Sequence, residues 1–162
     1  MPMNLIEIGQ HIRQRRDELG LSQDRLAKLG GLSRVTINQL ETGALVDLGV
    51  AKLLMLLNLL GLTLDTHAQP NVEHGLRMAS RTASVGYRRV LTPSELSQAL
   101  ACGDLPADIM PHVATLLDEA PLPIIVSAVA QAAQQEHIPP KAIWRHVIRW
   151  AYALGSPRKV WA

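Results

Sequence analysis

Between Leu19 and Gly43 the chain runs LGLSQDRLAKLGGLSRVTINQLETG, and this stretch limits the possible folds more than any other. Ser22 and Ser33 each precede a run with helical apolar spacing, where a hydroxyl can cap orphan backbone N–H groups. The first run, about residues 23–29, turns Leu26 and Ala27 inward; the second, about 34–42, turns Ile37 and Leu40 inward. Arg25 stands where a capping box would place Glu. Gly30–Gly31 breaks the first helix and Gly43 ends the second, as left-handed C-terminal stops do. Leu32 is the apolar residue of the turn. The small Ala27 lets the two helices pack closely.

Two helices crossed by such a turn make a helix-turn-helix, whose second helix lies in the DNA major groove. That helix must present side chains from its N-terminal half to base edges. Its outward residues here are Arg34, Val35, Asn38 and Gln39. Arg reads guanine bidentately, Asn and Gln read adenine, and Val meets a thymine methyl. Ser22, Gln23, Ser33, Thr36 and Thr42 are donors placed for phosphate oxygens. A motif kept only for packing would not need this outward set.

Upstream, Asn4 caps a helix over about 5–19 with Leu5, Ile8, Ile12 and Leu19 apolar, ended by Gly20. Met1–Met3 reads as a loose leader. Downstream, Asp47 is expected to cap a fourth helix to about Leu60. Its LLMLLNLL core is apolar almost all round, so it should be buried on more than one side, one of them against a second subunit. Leu62–His67 alternates with strand period. A lone six-residue strand is unstable, so this segment is expected to pair with its copy in a dimer.

The pattern SQxxLAxxxGLSxxTIxxLExG resembles the Xre family, the phage repressor and Cro type of helix-turn-helix, over about residues 5–65. The resemblance implies that Gln23 touches phosphate and that Arg34, Val35, Asn38 and Gln39 face bases. It also implies that Arg16 and Glu41 form a partly buried salt bridge. LLNLLGLTLDTHA departs from family members with a fifth helix. It is similar instead to antitoxin-type members of the HipB class, in which this segment is a dimerising strand.

Residues 68–91 carry Arg77, Arg81, Arg88 and Arg89 among Gly, Pro, Ser and Thr, and read as a basic linker with an extended piece at 84–90. Helical signals resume at Thr92-Pro93-Ser94-Glu95, with an N-cap, a proline at N1 and Glu at N3. Helices over about 93–101, 107–118, 122–136 and 140–154 follow, punctuated by prolines. On the last, Lys141, Arg145 and Arg149 fall four residues apart and form one stripe. With Trp161 they are the candidate partner-binding residues, because Trp and Arg are enriched at binding hot spots. Trp144 and Trp150 are expected in the core.

Composition narrows the function classes. With 48% apolar residues, no Phe and three Trp plus two Tyr, the core is aliphatic and leans to helix. Residues 1–65 hold seven Lys/Arg and seven Asp/Glu, so DNA affinity must come from where charges sit. One cysteine, Cys102, leaves no internal disulfide or Cys-based zinc finger. The six His show no ligand spacing, so no metal or cofactor is expected. An enzyme built on Cys102 and His112 has no support in spacing. Charges throughout Met1–Leu19 and the lack of a long apolar run argue against a secretory signal or membrane span, so a cytoplasmic protein is expected.

The expectation is therefore an all-α protein in three parts. A DNA-binding and dimerisation domain of four to five helices spans 1–67, with the short strand at 62–67. A basic linker spans 68–91, and a small helical domain spans 92–162. The expected function is a homodimeric repressor on double-stranded operator DNA, and specifically an antitoxin that represses its own operon and binds a cognate toxin. The alternative is a stand-alone repressor whose C-terminal domain binds a small ligand or only oligomerises.

Overall fold

A computed structural model describes residues 4–68 and 74–162. Met1–Met3 and residues 69–73 of the expected linker lie outside them. The chain divides into two compact units, Met1–His67 and Ala68–Ala162. Among the described residues every regular element is helical. None of these helices is long and apolar enough to cross a membrane.

The first unit contains α1 (Leu5–Glu18), α2 (Gln23–Gly30), α3 (Arg34–Thr42) and α4 (Val50–Leu59). The side chains of Asn4, Ser22 and Ser33 accept from the backbone N–H groups of Glu7, Arg25 and Thr36 at 2.9, 3.0 and 3.0 Å. These bonds start the first three helices where the sequence signals them. Gly31 and Gly43, at φ of 63° and 76°, close α2 and α3 in the left-handed region. The core gathers Ile12, Leu26, Ile37, Leu40, Leu56 and Leu60. Gly9 lets α1 lie directly on α3, since a Cβ there would collide with the Leu40 carbonyl.

Two local expectations are corrected here. Asp47 does not cap α4. Its Oδ1 accepts from the Gly49 N–H at 2.9 Å, closing a short turn, and Gly49 (φ 80°) then precedes the first helical residue, Val50. Residues 62–67, expected as a strand, take no regular structure. Strand groups need a neighbouring strand to bond, and no described segment of the unit supplies one. Leu62 instead packs on the core, its N–H donating to the Leu57 carbonyl at 2.8 Å.

The second unit contains α5 (Gly75–Ala83), α6 (Pro93–Cys102), α7 (Met110–Glu119), α8 (Leu122–Gln135) and α9 (Pro140–Ala153). A short 3-10 turn, Lys159–Trp161, follows. Helix α5 falls inside the segment expected to be a linker. Leu76, Ala79, Ala83 and Leu91 are buried in the core of this unit, so residues 75–91 belong to the C-terminal fold. Residues 84–90, expected as extended, form a turn and irregular chain. Gly75 is what seats α5 on α8, because a Cβ there would meet the Ser127 backbone. Thr92 and Glu95 form the full capping box at the start of α6. The core is aliphatic, joined by Trp150, whose indole N–H donates to the Gly103 carbonyl at 3.0 Å.

Candidate nucleic-acid interface

Helix α3 has two faces of opposite character. Ile37, Leu40 and Glu41 point into the unit, while Arg34, Val35, Asn38 and Gln39 are exposed. Positions 34, 35, 38 and 39 form one continuous stripe along a helix. Val35 is 64% exposed, far more than an aliphatic residue placed for packing within the unit. The stripe therefore offers a guanidinium, two carboxamides and a methyl-bearing side chain to whatever lies against α3.

The inward face is fixed by an ionic network. Glu41 is 4% and Arg16 8% exposed. The Arg16 guanidinium donates in a fork to the Glu41 carboxylate, Nε to Oε1 at 2.6 Å and Nη2 to Oε2 at 3.0 Å. Its remaining Nη1 donates to the Leu21 carbonyl at 2.7 Å and also meets Asp17. Gln23 Nε2 donates to Glu41 Oε2 at 2.9 Å. One buried carboxylate thus ties α1, the start of α2 and the end of α3 together. Burial pushes the Glu41 carboxyl up, but the hydrogen bonds from Arg16 and Gln23 and the nearby positive charge outweigh it and hold it below the usual carboxylate range. The bond to Glu41 raises Arg16 in turn, against the opposing effect of burial.

The small donors divide into two groups. Ser22 and Ser33 are exposed at the N-termini of α2 and α3, where helix dipoles favour anions. Each accepts a backbone N–H, and Ser33 and Thr36 share a hydroxyl hydrogen bond of 2.8 Å. Gln23 is half-buried and commits one amide hydrogen to Glu41, keeping the other. Thr42 departs from this group. It stands at the far end of α3 and its hydroxyl donates to the Asn38 carbonyl at 2.9 Å, so its proton is spent on its own helix. The sequence pattern left out Arg25. It is exposed on the first turn of α2, two residues beyond Gln23, and among the described residues no carboxylate pairs with it.

In the second unit Lys141, Arg145 and Arg149 are all exposed along α9, and Arg149 Nη2 also donates to the Gly103 carbonyl beyond the end of α6. Trp161 is not a free anchor. Its Nε1 donates to the Leu117 carbonyl at 3.1 Å and its ring packs on the core of the unit. Among the described residues no three of His, Cys, Asp or Glu come together as metal ligands.

Residues 12–66 match the family model described as helix-turn-helix, which spans α1 from Ile12 through α4. No curated protein and no solved structure matches the chain.

Proposed function

Starting from a helix-turn-helix domain of a DNA-binding transcription regulator at residues 12–66, we propose that the protein is a homodimeric repressor and the antitoxin of a toxin–antitoxin pair. The observation that carries the DNA reading is the exposed stripe of Arg34, Val35, Asn38 and Gln39 on a helix whose other face is buried. Base edges are read by these four residues. Ser22, Ser33 and Thr36, with the second amide hydrogen of Gln23, hold the phosphates on either side.

The dimer reading is supported by α4. Leu53, Leu56 and Leu57 are buried, yet Val50, Leu54, Met55 and Leu59 are 69, 46, 38 and 44% exposed. A second protomer covering that face would place two α3 helices in successive major grooves, about 34 Å apart, on a pseudo-palindromic operator. The antitoxin reading rests on a second unit that has its own core and two exposed cationic helices, α5 and α9.

The test is retardation of DNA carrying the chain's own promoter. Wild type is expected to shift it. Arg34→Ala with Gln39→Ala is expected to lose binding by about 100-fold or more, at about 1–3 kcal/mol per base contact. A double variant that binds as wild type does would remove α3 as the reading helix. Coexpression with the product of the neighbouring gene tests the antitoxin half. A complex that neutralises that product supports it, and no complex removes it.

A further inference from the structure

The second unit carries an open apolar groove of about 820 Å³ between α5 and the first half of α8. Its floor and lips are Met78, Leu122, Ile124 and Val126, and its edge carries His74 and Arg77. Met78 and Val126 are 50% and 52% exposed, an uncommon state for large side chains facing each other across a trough. Arg81 lies one turn beyond Arg77 on the same face of α5, and both are exposed. Neither α5 nor α8 contains an acidic residue. Among the described residues no carboxylate pairs with Arg77 or Arg81, whereas Arg89 is paired with Glu95 and Asp108. The first turns of α5 and α8 also line the groove, which adds the positive ends of two helix dipoles.

We propose that this groove receives an amphipathic helix from the partner protein, with its apolar stripe on Met78, Ile124 and Val126 and a row of carboxylates facing Arg77 and Arg81. The charge selects the partner: the trough is apolar at its base and cationic along one edge, and among the described residues no carboxylate lines it. Its shape selects a helix over a small molecule. With both lips half-exposed, a small ligand would stay wetted on one side, whereas enclosed sites bury most of a ligand's surface. A helix laid along the trough buries apolar residues spaced i, i+3, i+4 and i+7 and carries its own outer face to solvent. The inference deepens the antitoxin reading and rests on it for the partner's identity, but the groove is tested without that partner.

The probes are two labelled helical peptides with the same leucine stripe, one flanked by Glu and one by Lys, titrated against the full chain. The Glu peptide is expected to bind at least tenfold more tightly than the Lys peptide. Met78→Glu is expected to weaken it at least tenfold, and Arg77→Glu with Arg81→Glu to reverse the preference. All three side chains are exposed, so melting temperature and promoter binding should stay as in wild type. Val126→Glu gives an independent variant on the opposite lip. Equal binding of the two peptides, or binding of neither, overturns the proposal. So does a loss reproduced by Lys141→Glu with Arg145→Glu on α9. Decanoate binding with the same residue dependence but no peptide binding would assign the groove to a small anionic amphiphile and overturn it. A Met78→Glu chain that loses self-association would assign it to a second copy, with the same result. Failure of the neighbouring gene product to bind removes the antitoxin reading instead and leaves the peptide result standing.

Discussion

Glu41 sits where a charge is hardest to keep, and it stays ionised because every lone pair that matters is met. Arg16 satisfies it with a fork and Gln23 adds a third donor. Removing one member of such a pair leaves the other charge buried and alone, which costs about 3–5 kcal/mol, much more than an exposed pair contributes. Glu41→Ala is therefore expected to lower the stability of the first unit by that amount in urea denaturation at neutral pH. The pH dependence has a fixed sign. A carboxyl held below its usual value contributes stability that is complete above the unfolded value, about 4.3, and is lost as pH falls through the lowered one. The gap between wild type and Glu41→Gln should thus narrow as pH drops below about 4.3. A gap that is constant from neutral pH into that range would mean that Glu41 is not ionised in the folded unit.

At the scale of helices, close approach and exposed faces decide the outcomes. A Cβ on Gly9 would meet backbone, the Leu40 carbonyl first, which cannot turn aside as a side chain can, so Gly9→Ala must push α1 off α3. The expected loss is about 1–3 kcal/mol or more, as for overpacked cores, read from thermal melting of the first unit together with weakened promoter binding. An unchanged melt would mean that α1 and α3 can separate freely. On α4, Val50→Glu with Leu54→Glu alters only exposed positions. It is expected to leave the helical circular dichroism unchanged, shift the chain to monomer in sedimentation, and lower operator affinity at least tenfold. A variant that stays dimeric would place the dimer contact elsewhere. Helix starts were legible in the sequence because capping is local: Ser22, Ser33 and Thr92 each mark theirs. Helix α5 was not legible. It buries Gly75, Leu76, Ala79, Ser80 and Ala83, a face with helical spacing that the surrounding Gly, Ser, Thr and Arg made read as linker. Asp47 misled for a related reason, since an Asp can close a turn on Gly49 as readily as it caps a helix. Trp161 and Arg149 looked free because their acceptors, the Leu117 and Gly103 carbonyls, lie about 45 residues away in sequence. The outward stripe of α3 was legible, because it is set by helical period alone.

Over the whole chain, Lys and Arg barely outnumber Asp and Glu, 16 to 14. In the first unit Arg15, Arg16 and Lys28 pair with Glu18, Glu41 and Asp24. Among the described residues that leaves Arg13, Arg25, Arg34 and Lys52 without an ion pair. A dimer built on these cations would neutralise no more than about eight phosphates, which sets the plot of log affinity against log salt no steeper than about −7. A steeper slope would mean that Arg77, Arg81 or the α9 cations also reach DNA. The same economy of charge bears on how such a chain diversifies. Arg34, Val35, Asn38 and Gln39 face outward, while Ser33, Gly43, Ile37, Leu40 and Glu41 hold the helix in place. Exposed substitutions away from caps and networks usually change stability by no more than about 0.5 kcal/mol. If these four positions read bases as proposed, they can be exchanged as a set, giving descendants that answer to a different promoter while inheriting an unaltered scaffold.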